Sequence, residues 1–260
     1  MESEFAALQE RKIFRAVRAG IVYDRSILKS REITATENLY NPINVKLIPS
    51  DMLGPLLGDN FDILGILGQP ALDGSRLLLP EFTCLKIGFY SKAEVFPRGA
   101  MRYLTAVVSC LGPSSLIELL KSTVFHFYES LTLPSLLNID LADVESIAHG
   151  IGLSFNVTGD SSDDVANRLP PETFLARSAL LHFTCEKDVT LDEVYRISKT
   201  ISTRKNLGPF VSDIPGDQIK MYKRIRLKMG LRVSPGASSR ISLTAVLFGI
   251  KPASNFLSQI

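Results

Sequence analysis

The period of the apolar positions changes several times along the chain. From about Glu4 to Ala19, Phe5, Leu8, Ile13, Phe14 and Val17 recur at helical spacing between Arg11, Lys12, Arg15 and Arg18, which predicts an amphipathic helix. From Gly20 to about Gly112 the pattern breaks into short apolar runs bounded by turn residues. Val45-Lys46-Leu47-Ile48 before Pro49, Leu77-Leu78-Leu79 before Pro80, Cys84 to Tyr90 and Tyr103 to Cys110 read as short strands. Five glycines between Gly54 and Gly74 predict a loop-rich stretch.

A helical period returns after Gly112-Pro113. Ser114 or Ser115 can cap a helix with Glu118 in its first turn, and Leu116, Leu119, Leu120, Val124, Phe127, Tyr128 and Leu131 continue one buried face as far as Pro134. A second helix is expected at about Ala142 to Gly150, then a strand at Leu153 to Val157 and a polar break at Gly159 to Asp164. Ala179 to Cys185 reads as a strand, and Thr190 with Glu193 forms a capping box that opens a helix to about Lys205. Asn206 to Lys223 reads as an irregular connection. Arg224 to Met229 alternates with period two, Ser234-Pro235-Gly236 is a turn, and Ile241 to Ile250 is apolar enough for a central strand, so these two strands are expected to pair as a hairpin. The fold class is α+β: a small mixed sheet backed by helices in a two-layer C-terminal sandwich.

Composition narrows this little. The chain has 260 residues, 45% of them hydrophobic, which is enough for a sizeable core, and its Gly and Pro residues show no period. No basic leader precedes an apolar run and no stretch reaches the roughly 20 apolar residues that cross a bilayer, so a soluble, cytoplasmic protein is expected. Cys84, Cys110 and Cys185 lack metal-ligand spacing and suit buried thiols in a reducing compartment; no metal site is expected. His126, His149 and His182 stand in no nucleophile–base arrangement and read as core or interface residues.

The run Pro134-Ser135-Leu136-Leu137-Asn138-Ile139-Asp140-Leu141-Ala142-Asp143-Val144 resembles the signature loop of the FtsZ branch of the tubulin/FtsZ superfamily, where an aromatic or aliphatic residue precedes Ala-Asp-Val. Ala179 to Phe183 with Asp188 to Val194 resembles that family's strand and following helix, and Ile241 to Gly249 its closing strand. The resemblance covers about Leu116 to Lys251. It implies a divergent or truncated N-terminal nucleotide-domain-like region over 1–112, a central helix over 113–134 and an FtsZ-like C-terminal domain over 135–260. In that family the loop after the central helix enters the nucleotide site of the next subunit. The resemblance therefore places Asn138, Asp140 and Asp143 at the loop's polar positions, with Asp140 and Asp143 as the catalytic carboxylates, since a carboxylate near a γ-phosphate can orient an attacking water. The plainer reading is that both carboxylates charge and cap a helix N-terminus.

The pattern also departs from the family. A glycine-cluster loop that lets backbone N–H groups approach phosphate is missing, because the single Gly-x-Gly is Gly150-Ile151-Gly152, after the central helix. Leu116 and Ile117 occupy the stretch where an acidic residue normally meets guanine, and only about 110 residues precede the helix. The expectation is an FtsZ-like cell-division or cytoskeletal protein that is not an autonomous GTPase and has no cofactor of its own, with GTP reached through a partner subunit. It would cap or regulate a true FtsZ, or self-associate. The alternatives are a divergent GTPase that polymerises and a nucleic-acid-binding protein.

The last alternative comes from charge patterning. The net charge of +2 divides into −6 over 134–200 and +8 over 201–251. Lys220, Lys223, Arg224, Arg226, Lys228 and Arg232 form the densest basic run. Among these, Lys223, Arg224, Arg226 and Lys228 join Asn138 as candidate contact residues, for phosphate backbones or for an opposed protein surface.

Overall fold

A computed structural model describes residues 17–26, 45–91, 99–112, 115–133, 135–203, 225–234 and 239–250. The amphipathic helix expected from Glu4 lies almost wholly outside these residues, and Ala19, its expected last residue, opens a strand. The expected connection Asn206–Lys223 also lies outside them.

Five short apolar runs build a parallel layer: β1 (Ala19–Tyr23), β2 (Val45–Pro49), β3 (Ile63–Leu67), β4 (Leu85–Tyr90) and β5 (Ala106–Cys110). Every residue of β1, β3 and β5 is buried, as expected for strands covered on both faces. Two expectations for this region are corrected. The glycine-rich stretch holds β3 and a helix, α1 (Gly68–Ser75), where Leu72 and Ala71 supply a buried face. Leu77-Leu78-Leu79 is no strand; it turns into a short 3-10 segment at Leu79–Glu81, because Pro80 lacks the N–H a ladder needs.

The central helix follows β5 as α2 (Leu116–Leu119), a π-turn at Leu120–Val124 and α3 (Phe125–Thr132). Ser115 is its N-cap, accepting from the Glu118 N–H at 3.2 Å. Next come α4 (Leu141–Ile147), β6 (Gly150–Gly159), α5 (Ser162–Asn167), β7 (Ser178–Cys185), α6 (Leu191–Thr203), β8 (Arg226–Val233) and β9 (Ile241–Phe248). The expected capping box of α6 is present: the Glu193 N–H donates to Thr190 Oγ1 at 3.3 Å and the Thr190 N–H to Glu193 Oε2 at 3.0 Å.

All nine strands form one sheet in the order β2-β1-β3-β4-β5-β6-β9-β7-β8. The first five have the 2-1-3-4-5 order of a doubly wound sheet, and β6 continues them in parallel. The mixed section begins at β9, which is antiparallel to both β6 and β7, while β8 is parallel to β7. The expected β8–β9 hairpin is therefore overturned. β9 is buried almost throughout, on both faces, as expected of a strand held between two others. β8 alternates Arg226, Lys228 and Arg232 with Leu227, Met229 and Leu231, and this half-polar strand lies at the edge.

Helices cover both faces. α1 packs on one side of the parallel layer over Ile48, Leu64, Ile66 and Val107. The central helix and α4 lie on the opposite side over a core that runs from Ile21 and Phe89 to Leu180, Val246 and Phe248, so it crosses from the parallel layer into the mixed section. α5 and α6 cover the remaining face of the mixed section, where α6 buries Val194, Ile197 and Ile201, each worth about 2 kcal/mol of transfer free energy. Cys110 and Cys185 are buried and Cys84 is half-buried; burial pushes the Cys84 and Cys185 thiols up to about 11. No helix among the described residues is long and apolar enough to cross a membrane.

Candidate functional site

The segment between the central helix and α4 is tied down from three sides. Antiparallel bonds join it to β8: the Leu136 N–H donates to the Leu231 carbonyl at 2.8 Å and the Leu231 N–H to the Leu137 carbonyl at 3.0 Å. Asn138 closes the loop on itself, its Oδ1 accepting from the Ser135 N–H at 2.9 Å. Ile139 is buried beneath the loop, 3% exposed. Gly230 makes room for it, since a Cβ there would lie 3.1 Å from Ile139 Cδ1 and 3.4 Å from His182 Nδ1.

Asp140 and Asp143 form a reciprocal capping box. Asp140 Oδ1 accepts from the Asp143 N–H at 2.7 Å, and Asp143 Oδ2 lies 3.4 Å from the Asp140 N–H. Two carboxylates at the start of a helix are also favoured by its macrodipole. The ammonium of Lys228 sits against Asp143 Oδ1. Asp143 is thus occupied by two cationic or N–H partners, whereas Asp140 is exposed and keeps its second oxygen outside the box. Leu136 stands out of the loop at 69% exposure.

The other sequence-predicted residues separate from this cluster. Arg226 is exposed at the start of β8, and Lys223 and Arg224 lie outside the described residues. Lys228 and Arg232 project from the same face of β8 and are both engaged by carboxylates of the central helix and α4. Arg240 gathers Asp188 at 2.9 Å, Glu193 at 2.7 Å and the Asp160 carbonyl at 3.0 Å. The Arg240 hydrogen bond, and then the Thr190 N–H, hold the Glu193 carboxyl down at about 2. Lys228 and Arg240 of the basic segment therefore meet carboxylates of the acidic segment within the chain.

A cluster that sequence reasoning missed lies where the central helix crosses the mixed section. Glu129 is 5% exposed, with the Arg232 guanidinium on Oε1 and His126 Nδ1 3.1 Å from Oε2. His126 stacks on His182 with ring centroids 6.4 Å apart, and among the described residues neither ring nitrogen of buried His182 has a hydrogen-bond partner. Burial, and then the neighbouring His126, push the His182 imidazole down to about 4; burial, and then Arg232, lower His126 as well. The available signal was Glu129 itself, a carboxylate within the run Phe127, Tyr128, Ser130, Leu131 that is buried throughout. Among the described residues no group of three His, Cys, Asp or Glu side chains could hold a metal ion.

The crevice at the carboxyl ends of the parallel strands, beside β1 and β3, is where doubly wound sheets bind ligands. Here β3 runs into α1 through Gly68, at φ +75°, followed by Gln69 and Pro70. Pro70 contributes no N–H, and no side chain caps the helix. Just past the end of β1, the Ser26 hydroxyl and N–H lower the Asp24 carboxyl below its ordinary range, which keeps a negative charge there.

No protein-family model matches the sequence. The cell division protein FtsZ 2 of Methanocaldococcus jannaschii is 30% identical over 148 residues, covering 52% of this chain and 35% of that protein. FtsZ 2 of Thermococcus kodakarensis is 26% identical over 145 residues, covering 52% and 31%. The match spans about a third of the length of these curated relatives. Among solved structures, an empty FtsZ dimer of M. jannaschii superposes with a TM-score of 0.68 over 96% of this chain and 93% of that one, at 13% identity. CetZ2 of Haloferax volcanii, a GTPγS-bound protofilament, gives 0.51 over 80% and 72%, also at 13% identity. With the parallel layer, the crossing helix and the β6-β9-β7-β8 section in place, the chain is a divergent, low-identity relative of the FtsZ/tubulin superfamily.

Proposed function

We propose that this protein acts by filament-type contact, joining a nucleotide-competent FtsZ through the loop 135–143 and capping or regulating that filament without binding GTP itself. The observation that carries the reading is the contrast between the two ends of the molecule. The loop is bonded to β8, seated on Ile139 and capped by Asp140, with Leu136 and Asp140 outward. In the opposite crevice the turn after β3 has a left-handed glycine at Gly68, then Pro70, and the acidic Asp24 follows β1. Backbone N–H groups are what cradle a phosphate, and the described turn from β3 into α1 offers few of them. A head-to-tail polymer needs two different complementary surfaces, and a subunit with one of them ends the polymer. Superposition on an FtsZ dimer and a CetZ2 protofilament supports assembly as the context.

The test mixes the full chain with an archaeal FtsZ that polymerises with GTP, reading light scattering and phosphate release. The expected result is a change in polymer mass or turnover at substoichiometric amounts. A protein that neither binds that FtsZ nor alters either signal refutes the proposal. Saturable binding of a fluorescent GTP analogue by this chain alone would instead favour a working GTPase.

A further inference from the structure

The outer side of β8 carries backbone groups that no other described residue pairs with. β8 is the last strand of the sheet. Its even residues turn their backbone toward β7: the Arg226 N–H donates to the Arg177 carbonyl at 3.1 Å, and just past the strand the Ser234 N–H donates to the Cys185 carbonyl at 2.9 Å. Its odd residues turn outward, as Leu231 shows by bonding Leu136 and Leu137 through both its N–H and its carbonyl. Backbone groups along a strand alternate sides with a period of two, so Leu227 and Met229 aim N–H and carbonyl off the same edge. Among the described residues no backbone group pairs with them there. The bridge between Leu137 and Leu231 is thus the first step of a tenth strand that the chain abandons, because Ile139 turns into the core and Asp140 begins α4.

We infer that the Leu227–Met229 edge accepts an extended acidic segment of a partner protein as an antiparallel added strand. Main-chain bonds to Leu227 and Met229 give such a segment its register, and side chains set its chemistry. On one face the half-buried Leu227 and Met229 extend the apolar surface covered by α6. On the other stands exposed Arg226, beside Lys228, whose ammonium is held by Asp143. A segment alternating apolar and acidic residues complements both faces. A second copy does not: β8 itself holds no Asp or Glu, so pairing it with another β8 brings no carboxylate to Arg226. This inference does not rest on the filament reading, although the edge adjoins the loop 135–143 that carries that reading.

The experiment uses the full chain and two fluorescein-labelled peptides about seven residues long, one alternating glutamate with valine and one alternating lysine with valine. Anisotropy at low salt is expected to show saturable binding of the acidic peptide, weakening as salt rises, and about tenfold weaker binding of the basic one. Met229→Pro removes an outward N–H and leaves the β7 ladder intact, so it should abolish binding while the circular dichroism spectrum is retained. In hydrogen exchange the acidic peptide should slow the Leu227 and Met229 amides. Arg226→Glu, at an exposed side chain, should reverse the preference and decides the matter if the proline variant fails to fold. Equal binding of both peptides, an unchanged preference in Arg226→Glu, or binding retained by folded Met229→Pro overturns the inference. A concentration-dependent dimer abolished by Met229→Pro would assign the edge to a second copy and overturn it too.

Discussion

Tyr128 and Glu129 are consecutive residues of the central helix that hold opposite parts of the sheet. The Tyr128 hydroxyl, fully buried, donates to the Gly20 carbonyl in β1 at 3.0 Å, while the Glu129 carboxylate receives Arg232 from β8. Neighbouring side chains on a helix diverge by about 100° in projection, so one helix can bolt two regions of a sheet. A third tie lies nearer its start, where Asn156 Nδ2 of β6 donates to the Ser122 carbonyl within the π-turn at 2.9 Å. The helix is therefore fixed by directional bonds as well as by apolar packing.

The bond between Glu129 and Arg232 should show strong coupling. Glu129→Leu strips the partly exposed Arg232 of its partner and should cost about 2 kcal/mol in urea denaturation, and Arg232→Met should cost at least as much by stranding a buried carboxylate. The double variant should recover about 1–2 kcal/mol of the summed loss. Strict additivity would show that the pair is not coupled.

Stability should fall on mild acidification. His182 is held down at about 4 by burial and by His126, so between pH 6.5 and 4 the unfolded chain binds a proton that the folded chain excludes. Stability is then fully present above about pH 6.5 and is lost as pH falls toward 4, by up to about 1.4 kcal/mol per pH unit for this group. His126 acts in the same direction, with Arg232 and Glu129 the charged groups nearby. His182→Phe should flatten the dependence of the urea midpoint between pH 7 and 5; an unchanged slope would remove His182 as its source.

Asp140 permits stability and function to be separated. Asp140→Ala removes the N-cap of α4 and should lower stability by about 1 kcal/mol, whereas Asp140→Asn keeps a capping oxygen and should cost a few tenths. In the mixed assay with a polymerising FtsZ, Asp140→Asn should weaken the effect on phosphate release at nearly native thermal stability. An unaltered effect would confine Asp140 to capping.

Gly230→Ala tests the seat of the loop. The new methyl would press on Ile139 Cδ1 and His182 Nδ1, and destabilisation of about 1–2 kcal/mol is expected from overpacking. Gel filtration and urea titration check it, and a neutral outcome would mean that Ile139 has slack to move.

Local signals were strong enough to place most elements from sequence. The cap Ser115, the box Thr190–Glu193 and the apolar stripe of α6 act within one or two turns, so the chain determines them without reference to distant residues. The motif from Pro134 to Val144 likewise carried the resemblance to the superfamily. What sequence could not decide was which strands pair and where charges meet. β8 and β9 are close in sequence and looked like a hairpin, but two-sided burial drew β9 between β6 and β7. The same pairing carried Lys228 to Asp143 and Arg232 to Glu129, across 85 and 103 residues of chain. Composition and period are properties of a chain's neighbourhood; strand order and ion pairing depend on which distant surfaces exclude water together, and only the tertiary structure sets that.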